Sequence, residues 1–249
     1  MKTKKIVLTL LALVVVAVVV VLFATIGSLD KIIEAGIEKY GSEMTAAEIT
    51  LEEVTLDLSN GQASLRGLLV GNPEGFETEY LTSLDEINVI LDLDSITTDP
   101  VVIKEINIQN PVFIYEMGVG GNNLDAILNN VKEYVGAREE SDEADGKSAG
   151  PKLIIDNVYI RDGTVSVSHK ALKGKKMLTA PLPEIHIKDI GREEGGATPG
   201  EVAEKIISSV RSGATSAVAT LNLDKVKQAG GAIKESLGKA GEKLKGLFK

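Results

Sequence analysis

The chain opens with an unbroken uncharged run, Ile6 to Leu29, built mostly from Val, Leu, Ile and Ala and preceded by Lys2, Lys4 and Lys5. A bilayer core takes about 20 apolar residues as a helix, so the run predicts a transmembrane anchor. The lysines lie on its N-terminal side and Asp30 is the first acid beyond it. That asymmetry keeps the N-terminus cytoplasmic and exports the rest. A cleaved signal peptide has a shorter apolar stretch, about 7–15 residues, and ends in a small-x-small site. Ala24, Gly27 and Ser28 do not make a clean one.

After the anchor the period stays helical. Leu29, Ile32, Ile33, Ile37 and Tyr40 predict an amphipathic helix ending at Gly41. The period then drops to two. Ile49 and Leu51, then Val54, Leu56 and Leu58, alternate with polar residues, and the slip at Glu52–Glu53 reads as a bulge. Asn60-Gly61 is a hairpin signal, and a return strand runs from Ala63 to Val70. Asn72-Pro73-Glu74-Gly75 makes a loop. Ile87, Val89, Leu91 and Leu93 form the next strand, followed by Val101–Ile108 and its continuation Val112–Tyr115 after Pro111. Short connections and in/out alternation predict an antiparallel meander with one face wet.

Asn123 can cap a helix carrying Leu124, Ile127, Leu128, Val131 and Val135 on one stripe. Ala137 to Gly150 has no large apolar residue and predicts a flexible linker. Strands resume at Leu153–Ile160, turn at Asp162-Gly163 into Val165 and Val167, and end with Ile185 and Ile187. Thr198-Pro199-Gly200-Glu201 is a capping box that opens another helix. Finally Leu223, Val226, Ile233, Leu237, Leu244 and Leu247 recur at steps of three and four opposite six lysines, an amphipathic basic tail weakened by glycines. Such a tail can lie in a membrane interface, pack on a partner helix, or dock on its own domain. The organisation is therefore an anchor over residues 1–29, a helix-plus-meander module over 30–136, a linker over 137–150, a second β segment of the same sheet over 151–197, and C-terminal helices over 198–249. The fold class is α+β.

Composition narrows the chemistry. The 249 residues include no Cys and no Trp, which excludes disulfides, thiolate metal sites and cysteine nucleophiles. A net charge of −9 argues against a nucleic-acid partner. That charge is uneven: the first 29 residues carry +3 and residues 201–249 carry +4, which leaves −16 on residues 30–200. An acidic body between a basic foot and a basic tail suggests a body held off anionic lipid and a tail drawn toward it. His169 and His186 are the only histidines and lack metal-ligand spacing. Gly118-Val119-Gly120-Gly121 lacks the Lys-Ser/Thr of a phosphate loop, and the solvated acids Asp85, Glu86, Asp92 and Asp94 are poor calcium candidates. No enzyme and no cofactor is expected.

Several segments resemble AsmA-like envelope proteins. Gly41, Ala47, Ile49 and Leu51 follow the anchor at that family's spacing, and the match continues through Gly67–Phe76, Ile103–Pro111, Gly121–Leu124 and Ile155–Gly163. The resemblance covers residues 1–190 approximately and implies a bacterial inner-membrane protein with a periplasmic sheet curled into an open, chorein-like groove. Large members look like lipid conduits between the two envelope membranes. A sheet of eight or so strands spans only about 40 Å at about 4.8 Å per strand, so bridging would require oligomers or partners. On this reading Leu56, Leu58, Ile87, Val89, Leu91, Leu93, Ile106 and Ile108 form an apolar face that either meets acyl chains or is an ordinary core. The Lys170–Lys176 run either holds a lipid phosphate or is a solvated loop. The resemblance favours a non-enzymatic protein that binds or helps to move phospholipid for envelope homeostasis. The alternative is a scaffold that assembles with copies or envelope partners through its sheet edge and C-terminal helix.

Overall fold

The computed structural model describes residues 29–57, 59–118, 121–145, 152–169 and 178–221. The anchor residues Lys2, Lys4, Lys5 and Ile6, Leu58, the lysine run at 170–176 and the basic tail lie outside them. Among the described residues no helix is long and apolar enough to cross a membrane.

Among the described residues, three helices and one large unclosed sheet make an α+β fold. Helix α1 (Leu29–Thr45) precedes strands β1 (Ile49–Thr50), β2 (Glu53–Asp57), β3 (Gln62–Val70) and β4 (Thr82–Leu91). A short 3-10 turn, Leu93–Ser95, leads to β5 (Val101–Gln109), β6 (Val112–Gly118) and β7 (Gly121–Asn122). Helix α2 (Asn123–Asp145) carries the chain back to β8 (Leu153–Arg161), β9 (Thr164–His169), β10 (Leu178–Pro181) and β11 (Ile185–Ile190), and α3 (Pro199–Thr220) follows.

The sheet is mixed, which corrects the antiparallel expectation. β5 pairs with β8, and β6 with β9, in parallel. The physical reason is α2. After β6 the helix returns the chain to the start of β5, so β8 enters in the same direction along the free edge of β5. Asp162-Gly163 is accordingly not a hairpin turn. β8 and β9 are one broken strand, as are β5 and β6, and β10 and β11.

Those breaks line up. On the covered face, buried and half-buried residues step by two along each strand except at two levels, where they step by three: one crosses only β5, β8 and β11, from Ile103 to Ile106, Ile155 to Val158 and Ile187 to Ile190, and the other crosses all six strands, from Leu51 to Val54, Leu65 to Leu68, Leu84 to Ile87, Ile108 to Pro111, Ile160 to Gly163 and Leu182 to Ile185. Each extra residue bends its strand. Because the bends of the second level are in register through every strand, they form a crease across the whole sheet. Left-handed backbone marks it at Gly67 (φ 65°), Asn110 (φ 52°) and Asp162 (φ 55°). Hydrogen bonding continues across it, from Asn110 N to Arg161 O (3.0 Å), Thr164 N to Pro111 O (2.8 Å) and Leu182 N to Gly163 O (2.8 Å).

The helices cover one face. α1 lies on β1 and β2, α3 on β9 to β11, and α2 between them against β6. α1 runs past Gly41, which is buried, to Thr45, because burial of Met44 (1 % exposed) adds another turn to the apolar stripe. Ala46 (φ 51°), not Gly41, takes the left-handed position beyond its end. α2 continues to Asp145, into the expected linker; Ala, Glu and Arg favour a helix there without any apolar period. The Thr198–Glu201 capping box forms as expected, with Thr198 N donating to Glu201 Oε2 (2.6 Å) and Glu201 N donating to Thr198 Oγ1 (3.3 Å).

Candidate functional site

The expected apolar face can now be placed row by row. Pairing aligns Leu56 with Ala63, Val89, Ile106, Val158 and Ile187 across the sheet. The next row holds Val54, Leu65, Ile87, Ile108, Ile160 and Ile185. Both rows point at the helix layer. Val89 (2 % exposed), Ile106 (3 %), Leu91 (5 %) and Ile108 (8 %) are buried in a continuous core with Ile33, Ile37, Ile127 and Val131 of α1 and α2 and Val202 and Val210 of α3. Leu56 and Ile87 are partly buried against that core. Leu93 departs from the face altogether. It lies in the 3-10 turn and is 41 % exposed.

The opposite face is polar, and along the crease it is charged. Arg66 pairs with Glu53 (3.6 Å) and Glu86 (3.1 Å) across three strands, and Arg161 with Glu184 (2.9 Å). Ser64 Oγ also donates to Glu86 (3.0 Å). This hydroxyl first, and Arg66 second, hold the Glu86 carboxyl below the usual carboxylate range. One row further, Tyr159 is stacked on His186 (ring centroids 4.2 Å apart), Arg161 lies 4.1 Å over the Tyr159 ring, and His186 Nε2 bonds Asn157 Oδ1 at 2.9 Å. The imidazole thus meets an amide and an aromatic ring, with no nucleophile in that set. The side chain of His169 is outside the description. Among the described residues no three His, Asp or Glu converge to hold a metal.

A buried polar knot at the other end of the sheet went unread in the sequence. Glu116 is 2 % exposed on β6. Its carboxylate accepts from Glu77 N (2.9 Å), Thr78 N (2.8 Å) and Thr78 Oγ1 (2.7 Å). Asn123, fully buried, accepts from Glu116 N (3.0 Å) and donates to Ile114 O (2.7 Å) and Asn72 Oδ1 (2.8 Å). The cap of α2 falls instead to Asn122, whose side-chain oxygen accepts from Asp125 N (2.9 Å). Arg211 of α3 pairs with Asp125, and burial with the nearby Asp125 charge pushes the Tyr115 hydroxyl up. The knot fastens the 72–80 loop and both later helices to β6. The signal for it was the Asn72-Pro73 and Asn122-Asn123 pairs, which local reading assigns to turns and caps.

Neither a scan of protein-family models nor a search of curated proteins returns a match to this chain.

Proposed function

We propose that this chain is a non-enzymatic, membrane-anchored protein of the bacterial envelope, AsmA-like in plan, whose exported domain serves as a scaffold for copies or partners. The anchor run and its lysine clamp support a cytoplasmic N-terminus and a periplasmic body in the inner membrane. One observation carries the choice of scaffold. The side chains that an acyl chain would have to reach, above all Val89, Leu91 and Ile106, are at most 5 % exposed within the protein's own core. A face already covered by three helices has little apolar area left to offer a lipid.

A lipid-handling role remains the second reading, and Leu56 and Ile87 favour it. They lie on that same face and are only partly covered. One experiment separates the two. The full-length protein is purified in mild detergent, its mass is measured by light scattering, and its phospholipid is quantified against an unrelated single-span protein. A discrete assembly with no lipid above the control supports the scaffold. Stoichiometric phospholipid that is lost in Ile87→Asp, with the helical and sheet signature kept, overturns it in favour of lipid handling.

A further inference from the structure

With no cysteine and four methionines, the chain carries all its sulfur as thioethers. Two of them are described, and the fold treats them oppositely. Met44, in the last turn of α1, is 1 % exposed in the core. Met117, on β6, is 40 % exposed. It alternates with Phe113 and Tyr115, which both belong to the core, so it leaves the sheet on the helix side, two residues beyond Tyr115.

A chain of polar groups begins at that point. Met117 pairs with Asn122 of β7. The Asn122 amide donates to Asp125 in the first turn of α2, and Asp125 holds Arg211 of α3. The Tyr115 hydroxyl lies among Asn122, Asp125, Arg211 and Thr215. The Arg211–Asp125 pair ties α2 to the C-terminal half of α3, while Lys132 and Glu204 (3.4 Å) pair nearer its start. The C-terminal half of α3 buries mainly small side chains, Ala214 and Ala217 with Val210 and Val218, so little apolar area reinforces the tie.

We propose that Met117 is an oxidative modification site, and that its sulfoxide loosens α3 from α2. The oxidant is a peroxide. The sulfur lone pair attacks one peroxide oxygen, an S–O bond forms as the O–O bond breaks, sulfur loses two electrons, and hydrogen peroxide leaves as water. An exposed apolar thioether becomes a polar group with a strong acceptor oxygen. At this position the oxygen competes with Asp125 for the Arg211 guanidinium. Burial withholds Met44 from the same reagent.

The full-length protein in mild detergent is treated with hydrogen peroxide at increasing dose, and the sulfoxide at each methionine is read by peptide-mapping mass spectrometry. Met117 is expected to oxidise several-fold faster than Met44. Equal rates, or a reduced Met117 beside an oxidised Met44, overturn the site. Hydrogen exchange on the same samples reads the coupling. Amides of residues 211–220 should exchange a few-fold faster after oxidation while those of β4 and β5 keep their protection. Met117→Leu keeps the apolar side chain without the thioether and should show no change at the same dose. Unchanged exchange at 211–220 in the oxidised protein, or the same acceleration in Met117→Leu, overturns the coupling to α3.

Discussion

Gly67 and Gly191 both hold positive φ, 65° and 75°, yet they ask different things of a side chain. A Cβ on Gly67 would meet the Glu52 side chain at 2.4 Å, and an exposed glutamate can swing aside. A Cβ on Gly191 would meet Leu153 O at 2.4 Å and Ala197 N at 2.5 Å, two backbone atoms that bond each other's residues. Gly67→Ala is therefore expected to cost about 1 kcal/mol from the left-handed backbone alone. Gly191→Ala is expected to cost clearly more, and ranking the two melting temperatures checks it. Glu116 makes a second prediction at this scale. In Glu116→Gln an amide NH2 replaces one acceptor oxygen and confronts the donors of Glu77 and Thr78. The expected loss is about 1–3 kcal/mol for buried donors left unpaired. Hydrogen exchange should show those two amides losing protection first.

At the scale of elements, the sequence was legible wherever a local rule applied. The Asn60-Gly61 tip, the bulge at Glu52, the continuation past Pro111 and the Thr198 capping box all follow from residues within four positions of one another. What could not be read is set by distant residues. Parallel pairing of β5 with β8 depends on where α2 delivers the chain, and the crease is visible only when six strands are laid side by side. Each of its steps, taken alone, looks like a lapse in alternation. The apolar face was legible as a face but not as a covered one, because a core and a groove require the same period. The charged ladder on the crease carries a pH prediction. Ser64 and Arg66 lower the Glu86 pKa, and Ser59 and Asn60 lower that of Asp57. A carboxyl whose folded pKa is depressed binds its proton more readily in the unfolded chain. Its stabilisation is fully present above the unfolded values, about 4.3 for Glu and about 3.9 for Asp, and is lost as pH falls through the lower folded ones. Thermal stability should hold from neutral pH to about 5 and fall below about 4. Glu86→Gln should make that acid limb shallower.

At the scale of the whole molecule, the sheet has two unlike faces, and the function turns on which of them is free. Neither edge invites simple strand addition: β2 presents Glu53 and Asp57, and the β10–β11 edge is interrupted by Pro181 and Pro183. Partners are then left with the polar face, the tip and the segments beyond Leu221. Adjacent residues on β4 test the assignment of the faces directly. Val89 is 2 % exposed and Ile90 is 37 % exposed on the opposite side. If Val89 belongs to the closed core, Val89→Asp places a carboxylate among apolar side chains with nothing to pair it, and a buried unpaired charge costs about 3–5 kcal/mol. That is a large share of the about 5–15 kcal/mol that holds a domain together. Ile90→Asp puts the same group into water at the neighbouring position. Far-ultraviolet circular dichroism with thermal melting should therefore show Val89→Asp losing its cooperative transition while Ile90→Asp keeps one close to the parent. A Val89→Asp protein that melts like the parent would mean that water or lipid already reaches this face, and the scaffold reading would yield to the groove.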